Sequence, residues 1–208
     1  MIYFEELWIK FRYSHFLRPL FDAIARLGIR ITTYYLFMEE IPPENQQILP
    51  DGLEDYEFCY WGPEDMEDVA FIQGRKFSGA FLAQRFKEGS QCIGLKKNNH
   101  PAIFSWYNLK KATFKYNGFP LKNDEAYIFD TLTLLDFRGK GLAPFLHFHL
   151  YKDLRKIGRR KLYSYVDYLN SPAVRLKVKL NAVRIKLYLS IDLFGKRQFH
   201  FTLKDYQK

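Results

Sequence analysis

The segment AYIFDTLTLLDFRGKGLAPFLHFHLYKDL, residues 126–154, decides the fold of this chain. Its first part, Ala126–Leu134, is a run of apolar and β-branched residues, which predicts a buried strand. A glycine-containing turn follows. The apolar spacing of Pro144–Ile157 then predicts a helix, and Gly158 is placed to end it. The segment is therefore expected to form a strand, a tight turn and a helix.

The turn between these two elements has the properties of an anion-binding site. Gly139 and Gly141 permit positive φ angles and a close approach of the backbone to a ligand. The start of the helix presents N–H groups that lack intrahelical partners, at the positive end of the helix dipole. Arg138 and Lys140 add two positive charges. The turn therefore predicts a cradle for a pyrophosphate group.

Two common phosphate-binding motifs do not fit the turn. A P-loop requires Ser or Thr after its Gly-Lys pair, whereas Gly141 follows Lys140 here. A dinucleotide-binding GxGxxG motif requires glycine where Pro144 stands. The turn alone is also compatible with a purely structural connection between strand and helix.

The remainder of the chain predicts alternating short elements without an internal repeat. Strand, helix and strand in succession around the turn imply a parallel crossover, and a hairpin is expected to turn through residues 98–101. A loop rich in proline separates the first two strands. The other predicted helices lie within residues 3–27, from residue 62 onward, over Gly79–Phe86 and over Asn170–Leu180. The other predicted strands are Arg30–Met38, Tyr56–Tyr60, Gln91–Lys96, Ala102–Leu109, Lys161–Val166, Ile185–Ile191 and Gln198–Leu203.

Charge is distributed unevenly along the 208 residues. Residues 1–100 contain 11 Lys and Arg against 15 Asp and Glu, a balance of −4, whereas residues 101–208 contain 21 against 8, a balance of +13. A polyanionic partner for the second half follows from this balance, and coenzyme A, nucleic acid or an anionic membrane would each serve. A solvated basic face, such as the run Arg155–Lys161, accounts for part of this balance.

Several classes of protein are disfavoured by what the sequence lacks. Cys59 and Cys92 lie outside any metal-binding spacing, and His147 and His149 fall on opposite sides of a helix, so no metal site is expected. The N-terminal residues carry acids within their apolar stretch, unlike a signal peptide, and no run is long enough to span a bilayer. These features predict a cytoplasmic protein.

Beyond the turn itself, the chain resembles the GCN5-related N-acetyltransferase (GNAT) family. The family's coenzyme-binding signature, Q/R-x-x-G-x-G/A, is matched by Arg138–Ala143, and the strand before it and the elements after it follow in the family's order. The resemblance is specific from about Asp124 to Leu193, and residues 1–50 are not explained by it. It implies a GNAT-like mixed, mostly antiparallel central sheet with helices on both faces and a splayed parallel strand pair. The expected organisation is an extension over residues 1–50, packed on an acyltransferase domain over residues 51–208.

The resemblance also implies which residues bind acetyl-CoA or another acyl-CoA, the expected co-substrate. Backbone groups of one splayed strand would contact the pantetheine arm and the acyl carbonyl; these belong to Leu132, Thr133 and Leu134. Backbone N–H groups of the turn would hold the pyrophosphate; these belong to Arg138, Gly139, Lys140, Gly141, Leu142 and Ala143. Asn170, just after the second splayed strand, matches an asparagine that commonly contacts the coenzyme in the family.

Acyl transfer to an amine needs a base for the ammonium proton and donors for the oxyanion, and an acid for the leaving thiolate assists. Asp130 lies eight residues before Arg138, where many family members carry a catalytic or substrate-orienting carboxylate, so it is the first candidate base. A substrate-binding or strand-capping role for Asp130 is the alternative reading. Asp167 and Tyr168 are the other candidates for the base.

The acid is the point at which the sequence departs from the family. Many members have a tyrosine where this chain has Lys177, and a Gly-Phe pair where it has Asn181 and Ala182. Lys177 could stabilise a thiolate electrostatically. The tyrosines that could substitute as the acid are Tyr165, Tyr168 and Tyr188.

The sequence therefore predicts an N-acyltransferase, with acetyl-CoA as donor and a primary amine of a small molecule or amino sugar as acceptor. A longer-chain N-acyltransferase and a non-catalytic protein that binds acyl-CoA or another polyanion are the alternatives. No specific nucleic-acid signature is present. Peripheral membrane contact through the N-terminal helix is less favoured than docking of that helix on the domain, because Glu5, Glu6 and Asp22 interrupt its basic residues. A homodimer is left open.

Overall fold

The computed structural model describes residues 17–43, 52–65, 78–114 and 117–207. Four helices and ten strands lie within them. The helices are α1 (Leu17–Arg26), α2 (Gly79–Lys87), α3 (Leu142–Lys156) and α4 (Ser171–Lys179), and short 3-10 turns cover Pro63–Asp65 and Leu135–Phe137. The strands are β1 (Ile29–Glu40), β2 (Glu57–Trp61), β3 (Ser90–Lys97), β4 (His100–Asn108), β5 (Lys111–Phe114), β6 (Asn117–Pro120), β7 (Glu125–Thr133), β8 (Lys161–Asp167), β9 (Val183–Leu193) and β10 (Arg197–Asp205).

The chain folds as two compact units. The first unit comprises Met1–Met38, Thr113–Gly118 and Tyr165–Lys208, and the second comprises Glu39–Ala112 and Phe119–Ser164. In the first unit, antiparallel strands follow the order β10-β9-β1. In the second, antiparallel strands follow the order β7-β4-β3-β2, and the start of β8 pairs with β7 in parallel. The predicted boundary at residue 50 stays a prediction.

β7 and β8 pair in parallel, as the predicted crossover requires, and the paired register is short. This register joins Glu125, Ala126 and Tyr127 of β7 to the first three residues of β8. Both strands continue beyond this register, β7 to Thr133 and β8 to Asp167. The fold class predicted from the sequence, a mostly antiparallel mixed sheet with one parallel pair among the described strands, is confirmed.

The sheet of the second unit is covered on both faces, and its central strand β4 is buried along nearly its whole length. On one face, Ile93 and Ile103 pack against the apolar side of α3, which includes Leu146 and Leu150. On the other face, Leu82 of α2 packs with four further buried residues: Trp61, Cys92, Phe104 and Trp106. The helix α3 is thereby fixed on the sheet, with its N-terminus directly after the glycine turn.

Three local predictions differ from the structure. The hairpin between β3 and β4 turns through Asn98 and Asn99 alone, because both adopt positive φ, of 51° and 64°, and asparagine tolerates this conformation. The small two-stranded sheet of β5 and β6 was not predicted, because neither four-residue strand is long enough to show an alternating pattern. Helix α3 begins at Leu142 rather than Pro144, because Gly141 already forms its cap.

Part of the N-terminal prediction lies outside the described residues. The helix expected within residues 3–27 is observed as α1, and a turn at Gly28 ends it as predicted. Residues 1–16 are not described. Of the helix expected from residue 62 onward, only residues 62–65 are described, and Pro63–Asp65 forms a 3-10 turn.

Candidate functional site

The turn after β7 has the backbone conformation that its glycines predict. Gly139 and Gly141 adopt left-handed φ angles of 78° and 77°. Gly141 is the N-cap of α3, and no side chain of the described residues caps the helix there. The N–H groups of Leu142 and Ala143 therefore have no helical acceptor, as at any helix start. Pro144 has no N–H to satisfy, so it is well suited to this first turn.

Two cations accompany this helix start. Arg138 and Lys140 are both exposed. The Nε of Arg138 donates to the carbonyl oxygen of Thr133 over 3.2 Å, which ties the turn back to the end of β7. The ammonium nitrogen of Lys140 lies 5.2 Å from the ring centroid of Phe137. An anion at the helix start would thus meet backbone donors, the helix dipole and two positive side chains.

Buried polar contacts link α3 to Glu39. The Nδ1 of His147 lies 3.0 Å from the carbonyl oxygen of Ala143, and its Nε2 lies 4.0 Å from a carboxylate oxygen of Glu39. The hydroxyl of Tyr151 donates to the same Glu39 oxygen. Burial, followed by the charge of Glu39, raises the pKa of Tyr151 far above its ordinary value. These contacts anchor α3 to the last residues of β1.

The strand before the turn is bulged at the candidate base. Phe104 of β4 pairs with Leu132 of β7, and Trp106 pairs with Phe129. One residue of β4 therefore lies opposite two residues of β7, so β7 carries one extra residue. Asp130 lies in this bulge with a left-handed φ of 52°. Bulges change the direction of a side chain and end regular pairing, and they are frequent beside active sites.

Asp130 has a partner that the sequence did not reveal. Its carboxylate accepts a hydrogen bond from Arg85 over 2.8 Å, and both side chains are mostly buried. The guanidinium of Arg85 also lies over the rings of Phe81, Trp106 and Phe129, at 4.7, 5.0 and 5.2 Å from their centroids. Nothing in the linear pattern joins residues 85 and 130, because they belong to different elements.

The bulge is also bound from its partner strand. The hydroxyl of Ser105 lies 2.7 Å from that of Thr131 and donates to the Phe129 carbonyl over 3.3 Å. Ser105 is fully buried in the middle of β4. These bonds occupy polar groups that the extra residue removes from regular pairing, so the conformation of Asp130 is held from two sides.

The predicted contacts for the pantetheine arm lie at the end of the bulged strand. Leu132, Thr133 and Leu134 are all half-buried. The N–H of Leu134 donates to the Ala102 carbonyl over 3.0 Å, and the Thr133 carbonyl accepts from Arg138. Two of the predicted backbone groups are therefore already hydrogen-bonded within the protein.

The remaining predicted site residues belong to the first unit. Asn170 is exposed and caps α4, its side-chain oxygen accepting from the Ala173 N–H over 3.2 Å. Tyr168 is half-buried, and its N–H donates to the Thr33 carbonyl over 2.9 Å. Lys177 lies in the last turn of α4 and is only 5% exposed. Asp167 accepts a hydrogen bond from the Leu169 N–H over 2.8 Å.

The tyrosines considered as substitutes for the missing acid are also in the first unit. Tyr165 and Tyr188 are both buried, with ring centroids 6.3 Å apart. Burial raises the pKa of Tyr165 well above its ordinary value. The structure thus brings Asp130, the bulge and the glycine turn together within the second unit, whereas the other candidate catalytic residues lie in the first.

Two absences among the described residues are relevant to function. No group of three or more His, Cys, Asp and Glu side chains there could hold a metal ion. None of the described helices combines the length and the apolar character needed to cross a bilayer.

Comparison with known proteins gives a fold but no close relative. The sequence matches no protein-family profile and no curated protein sequence. Among solved structures, it is similar to a conserved protein of unknown function from Staphylococcus epidermidis ATCC 12228, with 13% identity, a TM-score of 0.57 and coverage of 82% of this chain and 64% of that one.

The chain is also similar to two solved structures of GNAT proteins. A GNAT-family protein from Novosphingobium aromaticivorans DSM 12444 is 16% identical, with a TM-score of 0.56 and coverage of 80% of this chain and 66% of that one. A tandem GNAT protein from the clavulanic acid biosynthesis pathway is 14% identical, with a TM-score of 0.56 and coverage of 80% and 56%. The chain spans less than two thirds of the length of these three structures. It has the fold of the GCN5-related N-acetyltransferases.

Proposed function

We propose that this protein is an acyl-CoA-dependent N-acyltransferase, which transfers acetyl from acetyl-CoA to a primary amine of a small molecule or amino sugar. One observation carries the proposal. Two left-handed glycines lead directly into the uncapped start of α3, a few residues after a bulged strand, in a chain with the GNAT fold. A helix start with accessible N–H groups and flanking cations is suited to a pyrophosphate.

The chemistry requires a carboxylate or a water chain that receives the proton of the attacking ammonium. The new C–N bond then forms as the thioester C–S bond breaks, and the thiolate leaves. Asp130 is the proposed base or orienting group, because it lies in the bulge of β7, the strand that leads to the turn. A thiol has an ordinary pKa of about 8.5, so the thiolate can leave without a dedicated acid. We therefore assign no residue to that step.

Coenzyme binding is the first test. Acetyl-CoA at 100 times its Kd should raise the free energy of unfolding by about 2.7 kcal/mol, measured as a shift in Tm. Pantetheine lacks the pyrophosphate, so it should bind without help from the turn. The absence of a Tm shift with every acyl-CoA, in a folded sample, would refute the proposal.

A matched pair of glycine variants isolates the turn. Gly139 and Gly158 have nearly equal positive φ angles, 78° and 76°, and in both cases an added Cβ would meet open space. Alanine at either position should therefore cost about 1–2 kcal/mol of backbone strain. Only Gly139→Ala should weaken the binding of coenzyme A, because Gly158 follows the other end of α3. Equal affinities in the two variants would remove the turn from the site.

Turnover is the second test. Transfer to a panel of primary amines can be followed by the release of free coenzyme A thiol. Comparing acetyl-CoA with palmitoyl-CoA separates an acetyltransferase from a longer-chain acyltransferase. A protein that binds acyl-CoA without turnover of any amine would instead be a binding protein of the same fold.

A further inference from the structure

Two exposed turns meet at one end of the sheet in the first unit. Residues 26–28 join α1 to β1, and residues 194–196 join β9 to β10. The N–H of Phe194 donates to the Gly28 carbonyl over 2.6 Å, and Ile29 pairs with Leu193 in the adjacent ladder. The two turns are therefore held side by side. We call the surface formed by Arg26, Leu27, Phe194, Lys196 and Arg197 the basic tip.

The apolar side chains of the basic tip extend into solvent. Leu27 is 72% exposed and Phe194 is 66% exposed, the two largest such fractions among the large apolar side chains described. Single exposed apolar residues are common on protein surfaces and need no explanation. Here, however, the two lie on contacting turns, at the point where the chain reverses.

The backbone holds these side chains in place. Phe194 has a left-handed φ of 56°, which is costly for an aromatic residue. Its ring lies against Gly28, where an added Cβ would come within 2.4 Å of its Cδ1 atom. Asp192 fixes the second turn by accepting a hydrogen bond from the Gly195 N–H over 2.9 Å. The exposure of Phe194 is thus built into both turns.

Positive charge surrounds the two apolar side chains. Arg26, Lys196 and Arg197 are all exposed. Residues 23–38 and 193–204 contain no acidic residue. The nearest carboxylate along the chain, that of Asp192, is only 6% exposed and lies opposite Arg30 in the ladder.

We propose that the basic tip binds the surface of an anionic lipid membrane. The exposed side chains of Leu27 and Phe194 can enter the boundary between headgroups and acyl chains, while the arginines and lysine remain among the phosphates. A nucleic-acid duplex would use the same charges through its phosphates, but it would leave Leu27 and Phe194 in water. The pairing of two apolar side chains with three cations therefore favours a membrane.

The test uses the full chain and its sedimentation with vesicles. Vesicles of phosphatidylcholine mixed with phosphatidylserine should carry the protein into the pellet at low salt, whereas vesicles of phosphatidylcholine alone should not. Each basic residue near an anionic surface strengthens partition by roughly fivefold. The double variant Lys196→Gln/Arg197→Gln should therefore weaken partition roughly 30-fold. Lys110→Gln/Lys152→Gln removes the same charge from exposed residues outside the tip and should have a much smaller effect.

The apolar contribution is tested separately. Phe194→Asn suits the left-handed backbone, since asparagine tolerates positive φ, and Leu27→Gln preserves the length of the side chain. Each should weaken partition by roughly tenfold without lowering Tm. Ile157→Gln, at another side chain that is 55% exposed, is the matched control.

Four results would overturn the proposal. One is the absence of sedimentation with anionic vesicles at low salt. The second is a charge or apolar control variant that loses as much partition as the corresponding tip variant. The third is binding to nucleic acid that competes with vesicles and is unchanged by Phe194→Asn. Unchanged partition in the tip variants would assign membrane binding to another part of the chain, and this would also contradict the proposal.

Discussion

At the scale of single residues, Asp130 combines an unfavourable backbone conformation with a mostly buried charge. A left-handed φ in a residue other than glycine costs about 1–2 kcal/mol, although aspartate tolerates it better than most. The ion pair with Arg85 and the hydroxyl contacts of Ser105 offset part of this cost. Strain that is held from several sides is frequent at functional sites.

The first prediction concerns Arg85. Arg85→Met retains apolar contact with Phe81 and Trp106 but leaves the Asp130 carboxylate without its cation. We expect a loss of about 1–3 kcal/mol in the free energy of unfolding, measured by chemical denaturation, because the carboxylate is mostly buried. Turnover of an amine acceptor should also fall, while the Tm shift with acetyl-CoA remains.

The matched control for Arg85 is a basic residue on the same helix. Lys87 is exposed in the last turn of α2, so Lys87→Met should change stability by less than about 0.5 kcal/mol. Arg85→Lys tests geometry, because lysine keeps the charge but loses the planar contact with the rings. Full stability in Arg85→Met would show that the ion pair has no structural role.

At the scale of elements, α3 is the helix on which the proposed coenzyme site depends. Its outer end presents backbone donors, and its inner face contacts the sheet through Leu146 and Leu150. His147 and Tyr151 lie one turn apart on its inner side, and both approach Glu39, which is fully buried. A buried carboxylate needs such partners, because its desolvation is otherwise costly.

The second prediction removes one of these partners. Tyr151→Phe deletes the hydroxyl that donates to Glu39 and should lower the free energy of unfolding by about 1–3 kcal/mol. Tyr60→Phe is the control, because Tyr60 is 50% exposed although its hydroxyl also donates to a carboxylate, that of Asp153. Equal losses in the two variants, measured by chemical denaturation, would contradict the importance of burial.

The third prediction concerns pH and His149 of α3. His149 is stacked on Phe58 at a centroid distance of 4.8 Å, and burial, followed by the charge of Lys152, lowers its pKa. The unfolded chain, with an ordinary pKa near 6.5, therefore takes up a proton at higher pH than the folded protein. The free energy of unfolding should fall as pH decreases below about 6.5, and this fall should level off once the folded histidine is also protonated.

The variant His149→Phe tests this assignment. It keeps an aromatic ring against Phe58 and removes the titrating group, so the decline in stability between neutral and mildly acidic pH should become shallower. His100→Gln, which removes an exposed histidine in the β3–β4 hairpin, is the matched control. Equal slopes in His149→Phe and the unmodified protein, from denaturation at several pH values, would exclude this role for His149.

At the scale of the whole molecule, the uneven charge affects how an anionic ligand is bound. The chain carries a formal charge of +9, and the balance of +13 over residues 101–208 includes the cations of the glycine turn. Exposed charges interact over roughly 10 Å at 0.1 M salt and about 3 Å at 1 M. Coenzyme A should therefore bind more weakly as salt increases.

The fourth prediction distinguishes charge from backbone in this salt dependence. Arg138→Gln/Lys140→Gln should lower the affinity for coenzyme A and make that affinity less sensitive to salt, measured by titration calorimetry at several ionic strengths. Gly139→Ala should lower the affinity without changing its salt dependence, because the variant removes no charge. An unchanged salt dependence in the double variant would place the electrostatic attraction elsewhere on the molecule.

The sequence by itself determined the features that depend on local stereochemistry. Alternating or continuous apolar residues specified most strands, and the glycines at 139 and 141 specified a left-handed turn before a helix, as observed. The hairpin turn at Asn98 and Asn99 was placed within one or two residues for the same reason. These features require only neighbouring residues, whose steric limits are written into the chain.

Only the tertiary structure decided which distant groups meet. Arg85 reaches Asp130 across 45 positions of sequence, and Tyr151 reaches Glu39 across 112. The bulge at Asp130 and the contact of Phe194 with Gly28 likewise depend on strand register, which local patterns do not encode. Such pairings result from packing over the whole chain, because burial of the core selects one register among many that satisfy the local preferences.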